Sequence, residues 1–219
     1  MTRRSLVLFT GLVALIVFAG GAFLYDRYGS TSAQPVPAPQ GDAMTRAHSP
    51  IIGPADAPVT IVEFFDPSCE ACRAFYPAVK QIMANFPGET RLVIRYAPFH
   101  EGSDEAVRIL EAARLQDRYE PVLEALLARQ PEWAVHGAPD LAKAWEIAAA
   151  AGLDAEQARR EMSSAEIDAV LELDLADVQS NNIRQTPTFF VNSRPLESFG
   201  PQQLYDLVRE EVESARAAQ

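Results

Sequence analysis

Seven residues, Val59-Thr60-Ile61-Val62-Glu63-Phe64-Phe65, run into Asp66-Pro67-Ser68 and then into Cys69-Glu70-Ala71-Cys72. No other stretch restricts the fold as much. β-branched and aromatic side chains with almost no polar alternation predict a strand covered on both faces, as in a sheet layered between helices. After Ser68 the spacing changes. Phe75, Val79, Ile82, Met83 and Phe86 recur at helical intervals until Pro87-Gly88 ends the run. Residues 91–96 predict a second short strand, so the chain opens its folded part as β-α-β.

Cys69 and Cys72 are the only two cysteines, and their place at a strand-to-helix handover explains why such a pair would be reactive. A sulfur at the first helical turn meets unpaired backbone N–H groups and the positive end of the helix dipole, both of which favour the thiolate. One turn later, Cys72 lies on the same face and can close a disulfide. Thiolate attack on a substrate sulfur, followed by resolution by the second thiol, is the chemistry such a pair supports. Two alternatives stand beside it: a local structural bridge, and capture of a soft ion such as copper(I) between two thiolates. Two cysteines cannot build a closed zinc site, and His48, His100 and His136 show no ligand spacing. No metal or cofactor is expected.

From residue 103 to about 181 the pattern is helical. Ser103 is a candidate N-cap, Pro121 opens a second helix, and Pro139 opens a third that ends at Gly152. Asp154 caps the next, and a last long helix carries Ile167, Val170, Leu171, Asp174 and Val178. Residues 188–191 return as a strand, a weak strand follows near Leu196, and Pro201 begins a terminal helix. The fold class is α/β with a helical insertion. Trp133 and Trp145 read as core or groove lining in that insertion, His100 reads as a loop residue without a catalytic role, and Glu166, Asp168, Glu172, Asp174 and Asp177 read as a solvated acidic face.

The N-terminus carries a membrane signal. Arg3 and Arg4 precede an uncharged apolar run over residues 6–24, longer than the core of a cleavable signal and long enough to span. Residues 1–28 are expected to form a cytoplasmic tip and an uncleaved transmembrane anchor. Residues 29–49, rich in Pro, Ser and Thr, form a flexible tether. The basic start places the remainder across the inner membrane, facing the periplasm or cell exterior, where thiols oxidise. A formal net charge of −11 argues against nucleic acid as a partner.

Two segments of this chain resemble signatures of the DsbA-like thioredoxin-fold oxidoreductases. One is residues 62–72, ending in Cys69-Glu70-Ala71-Cys72; the other is Asn182-Ile183-Arg184-Gln185-Thr186-Pro187-Thr188-Phe189-Phe190-Val191. The lead-in from Ile52 to Thr60 is similar as well. The resemblance implies a thioredoxin-like core over residues 50–102 and 182–219, interrupted by the insertion at 103–181. It implies Cys69 as an exposed nucleophile, Cys72 as a buried resolving thiol, and a cis Thr186–Pro187 bond with Thr186 facing the pair. Glu63 falls where the family has an acidic proton relay; from the residues alone it is either buried with a raised pKa or a strand-edge carboxylate in solvent. Pro187, from the residues alone, is a strand-entry proline, and Pro77 should kink the active-site helix.

The implied activity is thiol–disulfide exchange with exported polypeptides, with a membrane redox partner resetting the pair. Its direction is open between oxidase and reductase or isomerase. Strong oxidants of the family carry histidine where this chain has Ala71, and Glu70 adds a negative charge beside Cys69. Both changes should raise the Cys69 pKa relative to those relatives, with Arg73 offsetting them if it folds back across the turn.

Overall fold

The computed structural model describes residues 44–218. The expected anchor over 1–28 and the tether up to residue 43 lie outside the described residues; among those described, no helix is long and apolar enough to cross a membrane.

Five strands form one sheet: β1 (Ile51–Ile52), β2 (Val59–Phe65), β3 (Thr90–Tyr96), β4 (Thr188–Val191) and β5 (Arg194–Pro195). Their order is β1-β3-β2-β4-β5, with β2 central. β2 and β3 run parallel, and the other neighbouring pairs run antiparallel. All seven residues of β2 are buried, as the unbroken apolar run predicts. Side chains alternate along it. Ile61 and Phe65 enter the main core, while Val62 and Phe64 enter a second cluster with Val93, Val178 and Ile183.

Between β2 and β3 lies α1 (Glu70–Asn85), one helix that contains Pro77, which leaves the carbonyl one turn before it without a helical donor. The terminal helix, which starts at Pro201 as expected (Pro201–Ala217), is α8 among the described helices. Val79 of α1 and Leu204 and Val208 of α8 share the main core.

The insertion consists of α2 (Ser103–Leu115), α3 (Tyr119–Ala128), α4 (Gln130–Trp133), α5 (Leu141–Ala150), α6 (Ala155–Glu161) and α7 (Ala165–Ser180). The one-turn α4 was not anticipated from the pattern, since four residues are too short to display a period. The cap of α2 is Gly102 in the left-handed region, not Ser103. Ser103 is instead fully buried and donates its hydroxyl to Asp66 Oδ1. Asp154 caps α6 as expected, accepting from the Gln157 N–H. Trp133 and Trp145 are buried, donating to the Leu126 carbonyl at 2.9 Å and to Glu105 at 2.8 Å.

Two expectations are corrected here. The tether does not extend to residue 49. Arg46 makes two bonds to Asp177, at 2.7 and 2.8 Å, and His48 Nε2 lies 2.8 Å from Asp174. Nor are Asp174 and Asp177 on a solvated face. Both are fully buried, where the Arg95 guanidinium bonds them and Asp174 also accepts the Tyr96 N–H at 2.7 Å. A buried carboxylate is tolerated when cations and N–H groups surround it, and those partners come from segments 46–48 and 95–96. A helix-face reading, which sees only residues three and four apart, had no access to them.

Candidate active site

The end of β2, the start of α1 and the start of β4 converge. Cys69 is the N-cap residue of α1, with extended backbone (φ −73°, ψ 120°). Its thiol donates to the Thr186 carbonyl at 3.3 Å. The Thr186–Pro187 peptide is cis. The structure therefore brings Cys69, Cys72, Thr186 and Pro187 into one place from segments more than a hundred residues apart. Cys69 is only 6% exposed, so the exposed nucleophile implied by the resemblance is corrected to one recessed beneath the Thr186 loop. Cys72 is fully buried, and both thiols are free.

The two sulfurs are strongly unlike. A hydrogen bond from Cys72 is the largest influence holding the Cys69 pKa down, to about 5, against the opposing effect of burial; the Thr186 side chain and the N–H groups of Cys72 and Ala71 add to it. Burial pushes the Cys72 thiol far upward, and bonding to Cys69 adds to the rise. Near neutral pH one sulfur is thus a thiolate and the other a thiol. The absence of histidine at Ala71 does not leave Cys69 an ordinary thiol. Glu70 is exposed, where water and salt screen its charge. Arg73 does not fold back over the sulfur: its Nε donates to Gln130 Oε1 at 2.9 Å.

Glu63 lies two residues from both Ile61 and Phe65 and shares their side of β2, so it enters the main core face that holds both cysteines. It sits on the central strand, fully buried, with neither carboxylate oxygen hydrogen-bonded. The solvent-facing alternative is thereby excluded. Burial, with the Cys69 charge adding, lifts its pKa to about 8. Such a group is a neutral acid at pH 7, able to give up a proton when a nearby anion forms.

Two residues that shape the site were missed from the sequence. Asp66, fully buried, accepts from the Ser68 N–H at 2.8 Å, the Ser103 hydroxyl, the Phe99 N–H at 2.7 Å and the His100 N–H at 3.0 Å; its Oδ2 also lies 2.7 Å from His100 Nδ1. It thus ties the cysteine loop to the segment after β3. The Asp66-Pro67-Ser68 sequence carries a signal for this, since a turn-starting aspartate bonds the N–H two residues on. His100 is consequently no free loop residue. Burial alone would lower its pKa, but Asp66, together with the charges of Cys69 and Glu70, raises it. The second, Gln130, is 99% buried and donates from Nε2 to the carbonyls of Pro67 and Cys69, at 2.8 and 3.0 Å. Among the described residues no group of three or more His, Cys, Asp or Glu side chains could hold a metal, so the copper(I) alternative finds no third ligand of those types.

A strand-to-helix dithiol facing a cis-proline loop, in a sheet interrupted by a helical insertion, defines the thioredoxin-like class. The thioredoxin family model matches residues 45–210. The chain is similar to the crystal structure of a thioredoxin-like oxidoreductase from Silicibacter pomeroyi DSS-3, at 32% identity and a TM-score of 0.68, over 81% of this chain and 98% of that one. It shares its fold with Wolbachia pipientis alpha-DsbA1 at 17% identity and a TM-score of 0.67, over 80% and 96% of the two chains. A Na(+)/H(+) antiporter NhaA of Herminiimonas arsenicoxydans is 33% identical over 146 residues, or 67% of this chain. The chain spans 22% of that relative's length. The chain belongs to the thioredoxin family.

Proposed function

We propose that this protein donates disulfides to exported polypeptides from the Cys69–Cys72 pair, held at the inner membrane by its N-terminal segment with the folded domain in the periplasm. A substrate thiolate attacks Cys69 Sγ and breaks the Cys69–Cys72 bond. Cys72 leaves as a thiolate and takes up the proton of Glu63. A second substrate thiolate then attacks the mixed disulfide on the substrate sulfur, Cys69 leaves as a thiolate, and the substrate departs with a new disulfide. The pair is left reduced, and a membrane redox partner takes its two electrons to restore it.

The single observation that carries the direction is the place of Cys69 at the N-cap of α1, where bonding from Cys72 and from the N–H groups of the first turn holds its thiol down, to about 5. A stable thiolate is a good leaving group in the second step and favours the reduced pair. At pH 7, a thiol held near 5 instead of 9 raises the potential of the couple by about 60 mV over an unperturbed pair. The Thr186 carbonyl beside Cys69 offers a substrate strand a backbone edge.

Expressed in cells with its N-terminal segment, Cys72→Ser should accumulate mixed disulfides through Cys69 that reductant releases, and Cys69→Ser should accumulate none. Mass spectrometry of the trapped species identifies substrates and the resetting partner. If Cys72→Ser traps nothing when thiol substrates are abundant, Cys69 is not the nucleophile. An equilibrium with glutathione as reducing as that of thioredoxin would remove the donor direction while leaving the exchange chemistry.

A further inference from the structure

Gln130 is the residue through which the helical insertion grips the redox loop. It is a long amide with all of its polar atoms in use, 99% buried, on the one-turn α4. Nε2 donates to the Pro67 and Cys69 carbonyls, and Oε1 accepts from Arg73 Nε. One side chain thus holds the approach to α1, its N-cap residue and its first turn. The Cys69 carbonyl also accepts the Arg73 N–H at 3.1 Å, the first bond of the helix. Fixing that carbonyl fixes the peptide planes that follow, and with them the aim of the N–H groups of Ala71 and Cys72. Those groups have no partner inside the helix and are free to serve the sulfur at its start.

We propose that Gln130 is a positioning residue for disulfide exchange: the insertion uses it to hold the loop of residues 67–73 in the one form that sustains a Cys69 thiolate. The inference rests on Cys69 as the nucleophile. It makes the insertion part of the redox machinery as well as a cover for it. A partner that displaces α4 would change the reactivity of Cys69 without touching the sulfur.

The test is a titration of the Cys69 thiolate by its ultraviolet absorbance, in the reduced full chain and in Gln130→Met, which keeps length and bulk but loses all three hydrogen bonds. The apparent pKa should rise by about one unit, the tenfold change expected for one lost hydrogen bond to a charged group. The reaction with a small disulfide at pH 8, where both proteins are fully ionised, should be equal or up to about threefold faster in the variant, because a more basic thiolate is a better nucleophile. A lowered melting temperature with a coincident titration would reduce Gln130 to a packing residue and overturn the proposal.

A second measurement needs no variant. In the wild-type protein the Gln130 side-chain amide resonances should move with the Cys69 titration and exchange slowly with solvent. Static, fast-exchanging amide signals would equally overturn the proposal. If wild-type Cys69 forms no mixed disulfides at all, the exchange reading fails first, and the pKa comparison still reports on Gln130.

Discussion

Unfolded by urea across a pH series, the reduced protein should show a nearly flat stability profile between about pH 5 and 8, and the disulfide form a falling one. Two buried groups with opposite shifts produce this. Cys69 is held at about 5 against 9 for a free thiol. Its contribution is fully present above the unfolded value and is lost as pH falls through the folded one. Glu63 is held at about 8 against 4.5. Its contribution is fully present below the unfolded value and is lost as pH rises through the folded one. Across that window each moves stability by roughly 4 kcal/mol in opposite directions, at about 1.4 kcal/mol per unit.

In the disulfide form Cys69 no longer titrates and only the Glu63 slope remains, because burial, not the Cys69 charge, is the larger cause of its shift. Glu63→Gln should therefore flatten the oxidised profile and make the reduced protein more stable as pH rises. Parallel wild-type profiles in the two redox states would contradict the assignment of a thiolate to Cys69. An oxidised profile that does not fall would contradict a neutral buried Glu63.

That pairing was only half legible in the sequence. An unbroken apolar β2 carrying one glutamate told that the carboxyl was expensive, because the cost of burying a charge depends on local composition. The central position of β2, which decides between buried and edge, depends on strands 90–96 and 188–191 closing on either side, and that is a fact of topology. Cys69 and Cys72 were legible because the redox pair is local in sequence. The cis bond before Pro187 was reachable only through family resemblance, since X–Pro bonds are mostly trans.

Gln130 and the long-range contacts of Asp66 stayed out of view for a common reason. Apart from the Asp66–Ser68 turn, which the sequence signals, their partners lie 33 to 63 positions away or are reached through backbone N–H and C=O groups, which leave no mark in the residue alphabet. Asp174 and Asp177 were misread for the complementary reason. Their helix, α7, has acidic residues spread around its circumference, and only Arg46, His48 and Arg95, between 79 and 131 positions away, reveal which ones point inward.

The largest loss of stability should follow from Arg95→Met. Arg95 is fully buried on β3, with its guanidinium 5.6 Å from the Phe64 ring centre, bonding Asp174 from Nε and Nη2 at 3.0 and 2.8 Å and bonding Asp177 as well. The cost of desolvating two carboxylates is offset by planar, multiply bonded pairing; removing the cation leaves that cost standing, about 3–5 kcal/mol for a buried pair that loses one partner. Arg95→Lys should recover only part of it, because a single ammonium cannot reproduce the forked geometry.

The double variant Arg95→Met/Asp174→Asn should cost less than the sum of its parts, since removing the second charge relieves a buried carboxylate left with only the Tyr96 N–H and His48 as partners. Urea unfolding at pH 7 measures all four corners of that cycle. A loss below about 1 kcal/mol for Arg95→Met, in the range of exposed pairs, would mean that water reaches the carboxylates. The effect should extend to the redox site. Asp174 holds the Tyr96 N–H at the last residue of β3, and the chain from there runs through residues 97–100 to the bonds on Asp66 that shape the cysteine loop. The folded fraction of Arg95→Met should accordingly show faster amide exchange at Phe99 and His100 than wild type, with the core of α8 unchanged.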